Sequence, residues 1–242
     1  MLSSLVPTKL LDLLYPPRCM SCDAETDQAE GLCGECWSEV SFISGPVCGF
    51  CGVPVLAEGL SCEDCTQHPP NWQAGRAAVL YDGVGRKLVL NFKHHDRLNM
   101  STPLAIWLKR AGGELLATTD LLVPVPLHWQ RRIKRGYNQS AELARALSKL
   151  TDIPAAPDAL ERRRATPPLG GLSREERTQT LKDTITLSKT AQVEGKSVIL
   201  IDDVLTTGAT ATACTEALLA AGARRVSLLT LARVARGRDT TI

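Results

Sequence analysis

Apolar and polar positions change rhythm along this chain, and the rhythm marks out its elements. Ala77 to Tyr81 is nearly all apolar and reads as a short strand, with Asp82-Gly83 as the turn after it. Val84 to Phe92 repeats apolar residues at helical spacing. Pro103 to Arg110 does so again, and Gly112-Gly113 reads as the stop of that helix. Leu121 to Val125 is a brief apolar run, consistent with a buried strand. From Gln139 to Leu150, the side chains of Leu143, Ala146, Leu147 and Leu150 share one face of an amphipathic helix. Ala165 to Leu172 is rich in Pro and Gly and predicts a mobile loop. Ser197 to Ile201 predicts a strand, Gly208 to Ala221 a helix closed by Gly222, and Val226 to Leu231 a last strand. Strands alternating with helices imply an α/β fold, a mostly parallel sheet covered on both faces.

The first 70 residues lack this alternation. Leu5 to Leu14 reads as a short amphipathic helix that packs on the neighbouring cysteine-rich module. Beyond it stand four C-x-x-C pairs, Cys19/Cys22, Cys33/Cys36, Cys48/Cys51 and Cys62/Cys65, spaced almost periodically. Gln67 to Asn71, with Pro69-Pro70, reads as a linker. No export signal and no run of about eighteen apolar residues is seen, so the expected location is cytoplasmic, without a membrane span. Thiols there stay reduced, and paired cysteines then serve metals. Zinc takes four thiolates in a tetrahedron, so eight cysteines suit two structural zinc ions with no open coordination position. The pairs can combine in sequence or interleave. Cys214, the ninth cysteine, stands alone.

Charge divides the chain in the same place. Residues 1–70 carry two basic and ten acidic side chains; the remaining 26 basic and 16 acidic ones leave the rest at +10. A zinc with four thiolates adds about −2, so the cysteine module repels phosphates and is better suited to docking on the basic region.

The segment Val198 to Thr210, V-I-L-I-D-D-V-L-T-T-G-A-T, carries the chemistry. An apolar strand ends in Asp202 and Asp203, where open α/β sheets bind their ligands. Carboxylates there accept hydrogen bonds from vicinal ribose hydroxyls and are compatible with a Mg²⁺ ion on the same ligand. Thr206, Thr207, Gly208, Ala209 and Thr210 then turn into a helix. Small residues let backbone N–H groups close on a phosphate, and the helix N-terminus favours the anion. A P-loop is excluded, since its glycine-lysine signature is absent.

This segment resembles the phosphoribosyl pyrophosphate (PRPP) signature of type I phosphoribosyltransferases. The whole chain, from Pro16-Pro17-Arg18-Cys19 to about Arg233, resembles the ComF family, in its form with two consecutive zinc ribbons. Tyr81–Lys93, Val123–Leu127, Arg135–Gln139 and Arg162–Arg177 also match. The resemblance implies a type I phosphoribosyltransferase-like parallel sheet flanked by helices and preceded by a double zinc ribbon. The expected divisions are an N-terminal helix at 1–18, ribbons at 19–66, a linker and lead-in strand at 67–80, the phosphoribosyltransferase-like domain at 81–235 and a tail at 236–242.

It also implies roles. Thr206 to Thr210 would hold the 5-phosphate. The loop with Leu127, His128, Arg131 and Arg135 would bind pyrophosphate, and Asp202, Asp203, Arg131 and Arg135 would serve catalysis, with Mg²⁺ arriving on PRPP. Arg131, Arg132, Lys134 and Arg135 read equally well as a solvated or nucleic-acid-binding patch. Tyr137, Asn138 and Gln139 would cap the next helix. Arg162 to Arg177, including Arg163, Arg164 and Arg174, would form a basic hood over the site. Lys93 sits near the family's lysine-containing stretch, and His94 and His95 read as exposed residues at a helix end.

Two functions are thus expected. One is transfer of phosphoribosyl from PRPP with release of pyrophosphate. The other is a non-catalytic sensor of PRPP or a nucleotide that binds single-stranded DNA through its basic domain in natural transformation, with Trp107, Trp129 and Tyr137 as stacking candidates and a competence or DNA-uptake protein as partner. A pure assembly factor is a third. Elemental analysis should find two zinc ions per chain, and a chelator should lower the melting temperature by unfolding the first 66 residues. A metal-free chain with an unchanged melt contradicts the zinc reading.

Overall fold

The computed structural model describes residues 16–26, 31–94, 97–127, 136–163, 174–181 and 184–235. The Leu5–Leu14 helix, the Ala165–Leu172 loop and the tail lie outside them. Two short helices, α1 (Gly34–Ser38) and α2 (Glu63–Gln67), belong to the cysteine-rich part. After them come β1 (Gly75–Leu80), α3 (Gly83–Asn91), α4 (Ser101–Ala117), β2 (Leu121–Pro124), α5 (Gln139–Thr151), β3 (Leu160–Arg162), α6 (Arg174–Leu181), β4 (Ile185–Leu187), β5 (Ser197–Leu205), α7 (Ala209–Ala220) and β6 (Arg225–Arg233).

β1, β6, β5 and β2 lie side by side in that order, every pair parallel. β3 and β4 form a separate antiparallel pair. Alternation along β5 splits the interior in two. Ile199 and Ile201 pack with Leu88, Leu104, Leu143 and Leu147 on one face, while Val198 and Leu200 pack with Leu218 and Leu228 on the other. Each buried leucine contributes about 1.5–3 kcal/mol. Local signals agree with this packing. Asn138 caps α5 by accepting from the Ser140 amide at 3.1 Å, and Asp152 closes it in the left-handed region. Gly222, at φ 85°, ends α7, and the Ala223 amide donates to the Leu218 carbonyl at 3.1 Å.

Gly112-Gly113 does not stop α4. The helix bends at Gly113 (φ 6°, ψ −96°) and continues to Ala117, which buries Leu116. Gly112 serves packing instead, because a Cβ there would lie 2.9 Å from Leu229 Cδ2. The strand at 197–201 is also longer than its apolar run. It extends to Leu205 because β6 stays beside it, pairing Asp202 with Thr230 and Leu205 with Arg233. Both acids therefore stand within the strand rather than after it.

The cysteine-rich part packs directly onto the sheet. The Ile43 amide donates to the Ala78 carbonyl and the Leu80 amide to the Ser41 carbonyl, which covers the free edge of β1. Trp37, Phe42 and Trp107 of α4 interlock through tilted and edge-on ring contacts. At the other ribbon the backbones approach closely, and the Gly75 amide donates to the Gly49 carbonyl at 2.9 Å. A Cβ on Gly75 would stand 2.2 Å from the Phe50 carbonyl oxygen. Gly75→Ala should therefore destabilise the protein by about 1–3 kcal/mol. Urea unfolding measures this, and a wild-type midpoint contradicts the close approach.

Candidate functional site

Eight cysteines gather into two clusters, Cys19/Cys22/Cys33/Cys36 and Cys48/Cys51/Cys62/Cys65, with all four sulfurs of each within 4.8 Å of one another. The pairs thus combine in sequence and do not interleave. Neighbouring sulfurs lie 3.7 Å apart at Cys22–Cys33 and at Cys51–Cys62. A tetrahedron with Zn–S bonds of about 2.3 Å has edges of about 3.8 Å, so both sites fit zinc. Amides of Ser21 and Cys36 point at Cys19 and Cys33 Sγ, as they do for thiolates. The second cluster is wholly buried, whereas Cys22 of the first is exposed. Hydrogen bonds from Cys51, Cys62 and Cys65 push the Cys48 thiol far down. For Cys51 the bond shared with Cys48 acts upward, yet Cys62, Cys65 and the Arg233 charge outweigh it and lower the thiol to about 7. Cys214 is buried in α7, and burial holds its thiol well above the ordinary range.

The second assembly forms at the carboxyl end of the sheet. Asp202 Oδ1 accepts from Ser140 Oγ at 3.1 Å and from the Asp203 amide at 2.9 Å. Burial, and then the Asp203 charge, push Asp202 up to about 7 against these two bonds and the Lys93 cation. Asp203 Oδ2 lies 3.0 Å from Lys93 Nζ. Two anchors set that lysine. Asn91 Nδ2 donates to the carbonyls of Met20 and Ser21, inside the first cysteine knuckle. The hydroxyl of Tyr137 donates to the His94 carbonyl at 2.7 Å and also to that of Phe92. His94 itself is exposed.

Leu205 ends β5, and the chain turns through Thr206 and Thr207 to Gly208, the N-cap of α7. Gly208 has φ 81°, a left-handed conformation that glycine adopts without strain. A Cβ there would also meet Trp72 Cη2 at 2.7 Å. The first N–H groups of α7 have no acceptor within the helix, and with Thr206, Thr207 and Thr210 they follow directly on the acids in the chain. Beside it, the Val125 amide donates to the Ile201 carbonyl, and Asn138 Nδ2 donates to the Val125 carbonyl at 3.0 Å. The chain therefore leaves β2 with Val125 against Ile201, and the half-buried Leu127 follows two residues later.

His128, Trp129, Arg131, Arg132, Lys134, Arg135, His95 and Arg164 lie outside the described residues. Of the expected hood, Arg162 is buried in β3, 8% exposed, and does not belong to a solvated basic face. Tyr137 is buried and Trp107 is packed edge-on against Phe42, so packing already occupies these two stacking candidates. Pro69 and Pro70 are not a free linker: with Trp72 they wall a cleft against Thr206–Gly208, and Asn71 Nδ2 donates to the Thr212 carbonyl at 3.1 Å.

Ser140, Trp72 and Arg233 are the site residues that sequence reasoning missed. A charged residue ending an otherwise apolar strand was the one available signal, at Arg233. Among the described residues no helix is long and apolar enough to cross a membrane.

Comparison with known proteins agrees with this architecture. The double zinc ribbon domain family matches residues 10–66, and the phosphoribosyl transferase domain family matches residues 134–241. Competence protein F of Haemophilus influenzae is 30% identical over 223 residues, covering 89% of this chain and 96% of that protein. DNA utilization protein YhgH of Escherichia coli K12 is 33% identical over 211 residues, covering 84% and 90%. Competence protein ComFC of Bacillus subtilis is 26% identical over 240 residues, covering 89% and 94%. The chain belongs to the ComF family, in which a double zinc ribbon precedes a phosphoribosyltransferase-like α/β domain.

Proposed function

We propose that the carboxyl end of the sheet binds PRPP or a related ribose 5-phosphate. One observation carries this reading: the acid pair Asp202-Asp203, at the end of β5, and the glycine-capped start of α7 are joined by a short turn. Asp202 and Asp203 would accept the ribose hydroxyls, while Thr206 to Thr210 take the 5-phosphate. The loop that starts at Leu127 and includes His128, Arg131 and Arg135 would face the pyrophosphate. Mg²⁺ bound with PRPP would neutralise the diphosphate. Lys93 must leave Asp203 for a ribose to approach, which makes it the residue that exchanges partners on binding.

With an acceptor in place, C1 would lose pyrophosphate and gain the acceptor bond, with Arg131 and Arg135 stabilising the leaving group. The relatives' names, competence protein F and DNA utilization protein, support a role in competence and DNA use. The basic charge of residues 71–242 favours a second reading, a PRPP or nucleotide sensor that also binds single-stranded DNA through its phosphates, with a DNA-uptake protein as partner.

Calorimetry with PRPP and Mg²⁺ tests the site. Binding should be seen, and Asp203→Asn should weaken it by about 1.5–3 kcal/mol, or ten- to hundredfold. No heat with wild-type protein sinks the proposal. A panel of nucleobases then separates the two readings: pyrophosphate release identifies the transferase, and silence with binding intact identifies the sensor.

Affinity should also depend on pH. The folded value for Asp202 is raised to about 7 from 3.8, so it is mostly protonated in mild acid and becomes a pure acceptor only as the pH rises through 7. Binding should therefore strengthen from pH 6 to pH 8. Carboxyl NMR should find the Asp202 midpoint near 7, and Asp203→Asn should lower it by removing the neighbouring negative charge. A midpoint in the ordinary carboxylate range contradicts this account.

A further inference from the structure

Arg233, the last residue of β6, is 2% exposed. A guanidinium does not give up its proton in a protein, so a full positive charge is held in the interior. Its Nη1 donates to the carbonyls of Leu205 at 3.3 Å and Thr206 at 3.0 Å, and also to that of Val234. It therefore grips the backbone at the very start of the phosphate turn. Its Nε has no hydrogen-bond partner, and no carboxylate stands in ion-pair reach among the described residues.

Countercharge comes from Asp64 and Glu216, which line one cleft with Arg233 beyond ion-pair reach, and from the second cysteine cluster. With zinc that cluster carries about −2. Arg233 and Cys51 line the same cleft, of about 150 Å³, together with Cys65, Trp72, Thr206 and Gly208.

A second link runs parallel to the first. Phe50 lies inside the knuckle between Cys48 and Cys51, and its carbonyl accepts from Trp72 Nε1 at 2.7 Å. The ring of Trp72 then stands against Gly208, so close that no Cβ fits between them. One connection is electrostatic and the other steric. Both start at the second cluster, and both end on the 206–208 backbone.

We infer that the second zinc cluster holds the 206–210 turn in its phosphate-receiving shape, with Arg233 and Trp72 as positioning residues, so that losing this ion opens the turn. The functional meaning rests on the ribose 5-phosphate reading; the mechanical link does not. The first cluster touches the site elsewhere, through Asn91 and the segment that carries Lys93. The two metals thus have separable effects.

The test is hydrogen exchange on the full chain, with zinc content measured in parallel. Cys62→Ser/Cys65→Ser should reduce zinc from two ions to one and speed exchange of the 206–210 amides at least tenfold, leaving residues 198–201 protected. Arg233→Met should speed the same amides with both ions retained, and Arg233→Lys, which keeps the charge, should restore part of the protection. Trp72→Phe, a milder change that serves if Arg233→Met does not fold, should act in the same direction. Wild-type exchange in the cysteine pair variant and in Trp72→Phe overturns the inference, as does an equal loosening of the turn by Cys19→Ser/Cys22→Ser. Titration of wild-type protein with ribose 5-phosphate separates the two ideas. No binding together with loosened exchange in the variants removes the ligand assignment but keeps the link. Binding together with unmoved exchange does the reverse.

Discussion

The hydrogen-bonded register between β5 and β6 is the constraint on which the rest depends. Eight residue pairs keep the two strands side by side from Ser197 and Arg225 to Leu205 and Arg233. That length carries the acid pair to the rim of the sheet and leaves the turn to α7 beyond it. It also brings Arg233 level with the start of that turn. If the strands parted four residues earlier, Asp202 and Asp203 would lie on a loose loop and Arg233 would be a surface residue. Apolar packing on both faces of β5 supports the register, since a slip of one residue would turn Ile199 and Ile201 away from their core.

Around this centre, the two zinc ribbons act as walls and not as an appended module. The first continues the sheet past β1 and holds the end of α3 through Asn91. The second packs its backbone against Gly75 and, through Trp72, against Gly208. Among the described residues the sheet has four parallel strands, a small β/α unit. Two cross-linked knuckles add rigid surface without many residues, as metal sites do in small folds. The opposite charges of ribbons and domain favour the same contact.

Three ionisable groups meet near the site, Asp202 and Asp203 half-buried and Arg233 buried, and each sits in a different setting. Asp202 moves toward its neutral form, because burial and a neighbouring carboxylate both disfavour ionisation. Asp203 lies opposite Lys93, with Oδ2 3.0 Å from Nζ. Arg233 spreads its charge over three backbone carbonyls and lines one cleft with Cys51 and Cys65.

Much of this was legible in the sequence, and the reason is locality. Two C-x-x-C knuckles declare a metal site within a few residues, and V-I-L-I-D-D-V-L-T-T-G-A-T states strand, acids, turn and helix start in one stretch. The four strands of the parallel sheet and the amphipathic face of α5 follow from short periods in the chain, whereas the β3–β4 pair does not. What tertiary structure alone decided are matters of proximity between distant segments. Gly112 looked like a helix stop until Leu229 was placed against it. The pairing of the cysteines, the meeting of Lys93 with Asp203 and of Trp72 with Gly208, and the burial of Arg162 and Arg233 join residues tens to more than a hundred positions apart. No local pattern encodes such contacts, because they arise only when the sheet closes and the ribbons dock against its rim.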